Sequence, residues 1–218
     1  MNDSSGIESI GNGSFADATL DSLVEHLSQI VGGKIQSVQF FRQELEITVN
    51  SSDLLNVLMT LRDDKQLAFT QLIDMTAIDY PERRNRFDVI YLLLSISNNA
   101  RLRLVAQIGE GQTVPSATSV FMGANWPERE IWDMFGIFFA DHPDLRRLLT
   151  DHGFEGHPLR KDFPLSGHVE ARYDDTQRRV INKEVHLVQE FRDFDFLSPW
   201  EGLQKNIVFD QKSQTQKK

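Results

Sequence analysis

Residues 128–133, ERE followed by IWD, place four charged side chains at the front of an apolar run that extends to Phe139. Carboxylates such as Glu128, Glu130 and Asp133 can act as general acids or bases. An active site of that kind also needs a nucleophile with its base, an oxyanion pocket or a phosphate loop, and the sequence offers none of these beside the cluster. The cluster therefore stays open to three interpretations: a catalytic group, the start of a helix, or a surface for another protein.

Metal chemistry has little support in the same region. The side chains that could bind a metal are His142, His152, His157 and His168, with Asp141 or Asp151. Their spacing matches no metal motif such as H-E-x-x-H. The chain has no cysteine, which excludes disulfides, a thiol nucleophile, Cys-type zinc sites and thiolate-ligated iron–sulfur clusters. We expect no metal site.

The charged cluster falls on a segment with helical spacing. Pro127 suits the first turn of a helix, where glutamates complement the helix dipole, and Gly136 is a typical helix end. At about 100° per residue the apolar side chains that follow share one face; they are Ile131, Trp132, Met134 and Phe135. Glu128 points into that face because it lies four residues before Trp132. Its carboxylate therefore needs a partner, or must cap the free first-turn amides.

Two further predictions concern the charges around this helix. Arg129 and Asp133 are predicted on its opposite side, as an i,i+4 pair that solvent alone can accommodate. A second short helix is predicted over HPDLRRLLTDHG (142–153), with three leucines turned inward: Leu145, Leu148 and Leu149. Arg146 and Arg147 on this second helix are then expected to be countercharges for the first.

Upstream of the cluster the pattern predicts two helices and five strands. The helices are expected over 17–31, ended by Gly32-Gly33, and over 51–64. The strands are expected over 34–41, 43–49, 67–79, 86–97 and 100–109. A hairpin is predicted at Asn98-Asn99 because asparagine tolerates positive φ. The order α-β-β-α-β-β-β indicates an α+β domain over residues 16–140, with helices packed on a mainly antiparallel sheet.

A long extended C-terminal arm, residues 141–209, is predicted to follow the domain. In GFEGHPLRKDFPLSG (153–167) Gly and Pro recur too often for a helix or a central strand. The segment still carries apolar residues that a disordered chain rarely has. Two explanations stay open: a loop on its own domain, or an arm laid across a partner. A hairpin is expected around Asp174-Asp175 and is followed by the aromatic-rich segment FRDFDFLSPW (191–200).

The two ends of the chain and its composition exclude several classes of protein. Residues 1–15 are expected to be flexible and 210–218 disordered. The net charge of −9 disfavours binding to nucleic acid or to an anionic membrane surface. No apolar run approaches the roughly 18–20 residues of a membrane span. The N-terminal segment has neither the basic start nor the apolar core of a signal peptide. These features predict a cytosolic chain.

Residues 128–149 resemble the signature of a known family. The pattern reads E-R-E, two residues, Asp133, two hydrophobic residues, six residues, His142, three residues, Arg146, one residue and Leu148-Leu149. It is similar to the C subunit of proton-translocating NADH–quinone oxidoreductase, also called the thirty-kilodalton subunit of respiratory complex I. The likeness covers about residues 65–205, through FTQLIDMTAIDYPERRNRFDVIYLLLS (69–95), LTDHGFEGHPLRKDFPLSGHVEARYD (149–174) and FRDFDFLSPWE (191–201). It fits the stand-alone bacterial form.

The resemblance implies a fold, a location and a set of partners. The expected fold is an α+β domain with a C-terminal extension wrapped over neighbouring subunits. The expected place is the hydrophilic arm of the complex, on the cytoplasmic side of the bacterial inner membrane, chiefly against the homologues of its D and B subunits. No cofactor is expected in this chain, because FMN, the iron–sulfur clusters and quinone belong to partner subunits. The implied function is a non-catalytic, structural one in electron transfer from NADH to quinone.

Two groups of residues are expected to support that function. The first group is expected to knit the two short helices together: Glu128, Arg129, Glu130, Asp133, His142, Arg146 and Arg147. The second group is expected to begin the partner-bound arm: Arg160, Lys161, Asp162, Phe163 and Pro164. Two other classes stay open. An independent hydrolase predicts turnover or bound metal in the purified chain, and a scaffold unrelated to respiration predicts no enrichment with membranes.

Overall fold

The computed structural model describes residues 15–41 and 44–186. The predictions for residues 1–14, for the aromatic-rich segment at 191–200 and for the tail at 210–218 lie outside the described residues. By their contacts, the residues up to Gly167 belong to one compact unit, and those from His168 onward belong to a second.

Helices and strands follow the predicted order. The helices are α1 (Phe15–Val31), α2 (Leu54–Asp63) and α3 (Asn125–Phe135), and the strands of the main sheet are β1 (Ile35–Phe41), β2 (Glu44–Asn50), β3 (Gln71–Asp79), β4 (Phe87–Ser95) and β5 (Ala100–Ile108). Two short strands, β6 (Thr113–Pro115) and β7 (Phe138–Ala140), flank α3, and β8 (Val169–Asp174) and β9 (Arg179–Glu184) belong to the second unit. Short 3-10 turns occupy Gly32–Lys34, Ala117–Ser119 and Met122–Ala124.

The main sheet has the strand order β1-β2-β5-β4-β3. Strands β2 and β5 are parallel, and the other three pairs are antiparallel. This confirms the predicted α+β class with a mainly antiparallel sheet. The predicted hairpin joins β4 to β5, and Asn99 takes a φ of 49° there, a conformation that asparagine accepts more readily than most residues.

The core lies between the helices and one face of the sheet. Alternate residues of the central strands, such as Tyr91 and Leu104, are fully buried on that face. They form one apolar cluster with Leu58 of α2 and Ile131 of α3. Burial of this size is the main favourable contribution to folding. The core therefore fixes the position of α3, which carries the charged cluster. None of the helices among the described residues is long and apolar enough to cross a membrane.

The helix predicted over 142–153 is wrong, because this segment forms turns and irregular structure. The amides of Leu148, Leu149 and Thr150 all bond to the side chain of Asp133, so they are not available for helical hydrogen bonds. Leu149 is 58% exposed rather than turned inward. The absence of a helix or a sheet strand over 153–167 agrees with the glycine and proline pattern.

The predicted hairpin of the second unit is present. Strands β8 and β9 pair antiparallel, with Asp174 opposite Arg179. Asp174 Oδ1 accepts hydrogen bonds from the amides of Thr176 and Gln177 at 2.8 and 3.0 Å. Such a side-chain-to-backbone bond is typical of aspartate in a turn. The local sequence was therefore sufficient to locate this hairpin.

Candidate functional site

Helix α3 ends at a glycine that two constraints require. Gly136 has a φ of 75° and its amide bonds to the Trp132 carbonyl at 2.9 Å, as is typical of a left-handed helix end. A Cβ on Gly136 would lie 2.6 Å from the His157 ring. The glycine thus ends the helix and admits the later segment against it.

A carboxylate on the apolar face of α3 needs hydrogen-bond partners, and Glu128 has them. Its side chain is fully buried. Oε1 accepts a hydrogen bond from the Ala117 amide at 2.6 Å, and Oε2 accepts one from Ser116 Oγ at 2.7 Å. The partner is therefore the start of the 3-10 turn Ala117–Ser119, and not the helix's own first-turn amides.

Among the described residues, no cation lies close enough to Glu128 to neutralise its carboxylate. His142 Nε2 lies 3.9 Å away, and its proton is directed to the Asn125 carbonyl at 3.1 Å, while Nδ1 accepts from the Asp144 amide. Burial raises the pKa of Glu128 to about 7, and the bonds from Ser116 and Ala117 offset this only in part. The carboxyl is thus close to half-protonated near neutral pH.

Tyr91 shares the interior with this carboxyl. Its hydroxyl is buried and has no hydrogen-bond partner among the described residues. Burial, and then the charge of Glu128, raise the pKa of Tyr91 well above its usual value. The Tyr91 hydroxyl is therefore a polar group in the core without a hydrogen bond to a described residue, which costs stability.

The prediction that Arg129 and Asp133 form a solvent-exposed pair is wrong. Arg129 is 5% exposed and Asp133 is fully buried. Arg129 donates instead to the Arg146 and Arg147 carbonyls, at 3.1 and 3.2 Å. The helical pattern placed these charges away from the apolar face, but residues 145–150 cover that second side of the helix as well. The segment that covers it lies outside the helix, 14 to 18 residues along the chain from its partners.

Asp133 organises that covering segment. Its Oδ2 accepts from the Leu148, Leu149 and Thr150 amides at 2.9, 2.8 and 3.0 Å. Its Oδ1 accepts from Thr150 Oγ1 at 2.6 Å and from Arg147 Nη1 at 2.8 Å. Burial alone would raise the pKa of Asp133, but these hydrogen bonds hold it well below its usual range. The ionised carboxylate substitutes for the bonds that a helix would have formed.

Arg147 and Arg146 have different roles. Arg147 pairs with Asp133, as the countercharge prediction expects, and also donates to the Gly156 carbonyl at 3.2 Å. The prediction for Arg146 is wrong, since its side chain is 69% exposed and pairs with Asp144 at 2.7 Å. The Arg146 backbone carbonyl is what contacts α3, through Arg129.

Glu130 takes no part in the contacts between α3 and residues 142–153. It is exposed and makes no hydrogen bond or ion pair to the described residues, so the prediction that it knits the two segments is wrong. Successive helical residues are rotated by about 100°, and Glu130 is the charge of the ERE motif that faces outward. His142, in contrast, is half-buried and bonds to the start of α3.

A second cluster, not found by sequence reasoning, holds residues 161 and 162. Arg86 forms a two-pronged ion pair with Asp79 at 2.7 and 2.9 Å, and this pair is buried. Hydrogen bonding from Arg86 lowers the pKa of Asp79. Asp79 also accepts from the Lys161 amide at 2.8 Å, and Arg86 reaches Asp162 at 3.0 Å. The alternation Met75, Ala77, Asp79 is the signal that could have found it, because it places a carboxylate on the core face of β3.

The second predicted group therefore lies against its own domain over 157–163. The Leu159 amide bonds to the Met134 carbonyl at 3.1 Å, and Arg160 donates to the Phe135 carbonyl and to Glu110. Phe163 packs beside Phe154 with ring centroids 6.0 Å apart. Lys161, Asp162 and Pro164 are exposed, as contact with a partner requires. Their role in an arm stays a prediction.

The site as a whole holds segments of the same chain together. Its buried charges are held by hydrogen bonds from backbone and side chains of the same chain. Among the described residues no group of three His, Asp or Glu side chains is placed to hold a metal ion. The loop of residues 142–163 is hydrogen-bonded to α3 at Asp133 and Phe135, and to the sheet at Asp79.

The fold is similar to that of a component of a larger respiratory assembly. A chain in the structure of the membrane-bound sulfane sulfur reductase, an archaeal respiratory membrane complex, matches with a TM-score of 0.59 and 18% identity, over 66% of this chain and 85% of that one. At that identity the likeness concerns the fold alone. It defines the class as an α+β domain of the kind found in that complex.

Sequence comparison identifies the family. The family model described as respiratory-chain NADH dehydrogenase, 30 Kd subunit, matches residues 47–169. The NADH-quinone oxidoreductase C subunit of Xanthobacter autotrophicus is 50% identical over 200 residues, covering 92% of this chain and 96% of that protein. The C 1 subunit of the same enzyme from Rhizobium meliloti is 52% identical over 194 residues, covering 89% and 96%. The chain belongs to the complex I 30 kDa subunit family.

Proposed function

We propose that this chain is a non-catalytic structural subunit of the peripheral arm of proton-translocating NADH:quinone oxidoreductase. Family membership supports the assignment to that enzyme. The observation that supports a structural role is that the buried charges Glu128, Arg129 and Asp133 are all engaged in intramolecular hydrogen bonds. Groups engaged in this way hold backbone in place and are not presented to a substrate.

The partners we propose are the homologues of the D and B subunits of that enzyme, which the chain meets on the cytoplasmic side of the bacterial inner membrane. FMN, iron–sulfur clusters and quinone would be bound by other subunits. The chain has no cysteine for a cluster. Electron transfer from NADH to quinone then depends on this chain through assembly.

The arm is proposed to start after residue 163, beyond the last residues that the charged clusters hold against the domain. Residues 157–163 are fastened to the domain by Asp79, Phe135 and Glu110. Leu165 is 90% exposed just beyond them. An exposed leucine next to a firmly held segment suits contact with a neighbouring subunit.

Co-purification tests this function. A tagged copy of the full chain, expressed in place of the native one, should bring down NADH:quinone oxidoreductase activity from detergent-solubilised membranes. Removal of residues 164–218, which leaves the charged clusters intact, should release the chain into the soluble fraction. Recovery of the tagged chain without any oxidoreductase subunit would refute the proposal. Undiminished assembly after the truncation would refute the arm alone.

A further inference from the structure

The beginning of α3 leaves large apolar side chains uncovered. Trp126 is 66% exposed, and Met122, in the 3-10 turn just before the helix, is 89% exposed. Glu130 lies one helical turn after Trp126, on the same side of α3, and it is exposed. We refer to Met122, Trp126 and Glu130 as the α3 stripe.

The stripe contributes little to the fold of the described chain. The other charges of α3 are buried and bonded, whereas Glu130 pairs with no described residue. A tryptophan at this exposure forgoes most of the free energy that its burial would give. Exposed apolar side chains rimmed by polar groups are typical of surfaces that bind another protein.

The surroundings of the stripe are acidic. The bond from His142 to the Asn125 carbonyl brings residues 141–144 beside the start of α3. Asp141 and Asp144 there are exposed, although Asp144 pairs with Arg146. Glu130 and Asp141 are exposed carboxylates that form no ion pair with a described residue, in a chain whose net charge is −9. A basic partner surface is therefore the complementary one.

We propose that the α3 stripe docks a basic segment of another subunit, with an arginine of that subunit placed between Trp126 and Glu130. An indole face and a carboxylate four residues apart suit arginine, because the guanidinium stacks on aromatic rings and donates a fork of hydrogen bonds to carboxylates. Met122 provides an adaptable apolar contact beside them. Tryptophan and arginine are also the residues most enriched among energetically dominant interface positions.

This inference rests on the proposed function, because the docked segment belongs to another subunit of the same enzyme. The inference adds a second contact surface for another subunit, separate from the C-terminal arm. Two substitutions test it in the full chain within the assembled enzyme: Glu130→Arg and Trp126→Ala. The matched controls are Glu82→Arg, an exposed carboxylate in the loop between β3 and β4, and Phe138→Ala, an apolar side chain that is 52% exposed.

The first measurement is the amount of partner subunits that co-purifies with each tagged variant at low and moderate salt. We expect at least a tenfold loss for Glu130→Arg and Trp126→Ala at moderate salt, with parental melting temperatures for the free chains, and parental yields for both controls. Parental yields for both stripe variants would overturn the proposal. If the parental chain itself brings down no oxidoreductase subunit, the proposed function fails first.

A second measurement does not depend on how well a variant assembles. The chain has no cysteine, so Met122→Cys introduces a single thiol whose reaction with a charged maleimide can be followed on this chain by mass. We expect labelling at least tenfold slower in the assembled enzyme than in the free chain. Equal rates would overturn the docking surface. Slow labelling of the free chain, together with a dimeric mass, would assign the surface to a second copy and also overturn it.

Discussion

Glu128→Gln offers the most direct test of the buried joint. Glu128 has an ordinary pKa of 4.5, and burial raises it to about 7. The folded chain therefore binds the proton more tightly than the unfolded chain. The resulting contribution to stability is fully present below about pH 4.5 and is lost as the pH rises to about 7. At 1.36 kcal/mol per unit, the difference is roughly 3 kcal/mol.

Glutamine removes this dependence and keeps the shape of the side chain. Its carbonyl can accept from the Ala117 amide, and its NH2 group can donate to Ser116 Oγ, whose own proton can then be given to Thr118 Oγ1, 2.7 Å away. Glu128→Gln is therefore expected to be more stable than the parent by less than about 1 kcal/mol at pH 5 and by about 3 kcal/mol at pH 8.

Urea unfolding of the full chain between pH 5 and pH 8 at constant ionic strength measures the effect. The quantity of interest is the difference between variant and parent at each pH, since the other titrating groups are common to both. Glu130→Gln is the control, because it makes the same change at an exposed side chain of the same helix. If the parent and Glu128→Gln lose stability in parallel across this range, the assigned environment of Glu128 is incorrect.

Three further substitutions test other contacts. Asp133→Ala should lower the free energy of unfolding by about 3–5 kcal/mol, because it leaves Arg147 and three amides without their acceptor. Limited proteolysis should then cut near residue 150; an uncut chain of parental stability would contradict this. Gly136→Ala should destabilise by at least about 2 kcal/mol through its positive φ and the contact at 2.6 Å, whereas Gly123→Ala, with open space around it, should melt within a few degrees of the parent. Leu149→Ala should change stability by less than about 0.5 kcal/mol because the side chain is 58% exposed; a loss above about 2 kcal/mol would show that Leu149 is buried after all.

The sequence was sufficient for the elements whose signals are local. Periodicity located α1 and α2, alternation and strand-like apolar runs located the five strands of the main sheet, and the Asn98-Asn99 and Asp174-Asp175 turns located two hairpins. These features depend on contacts between residues close in the chain, which composition and spacing encode directly. The same periodicity showed that Glu128 needs a partner, since its position on the apolar face follows from helix geometry alone.

The second side of α3 was decided only by tertiary structure. Periodicity gives a helix one apolar face, and it cannot show that another segment covers the opposite face with hydrogen bonds in place of apolar contacts. Arg129 and Asp133 are buried for that reason, and the helix expected over 142–153 is absent because Asp133 takes its amides. The Asp79–Arg86 pair was also decided by tertiary structure, because Asp79 accepts a hydrogen bond from the Lys161 amide, 82 residues along the chain. Spacing along the chain determined which residues carry charge on α3; contacts across the fold decided which of those charges are buried and what they hold.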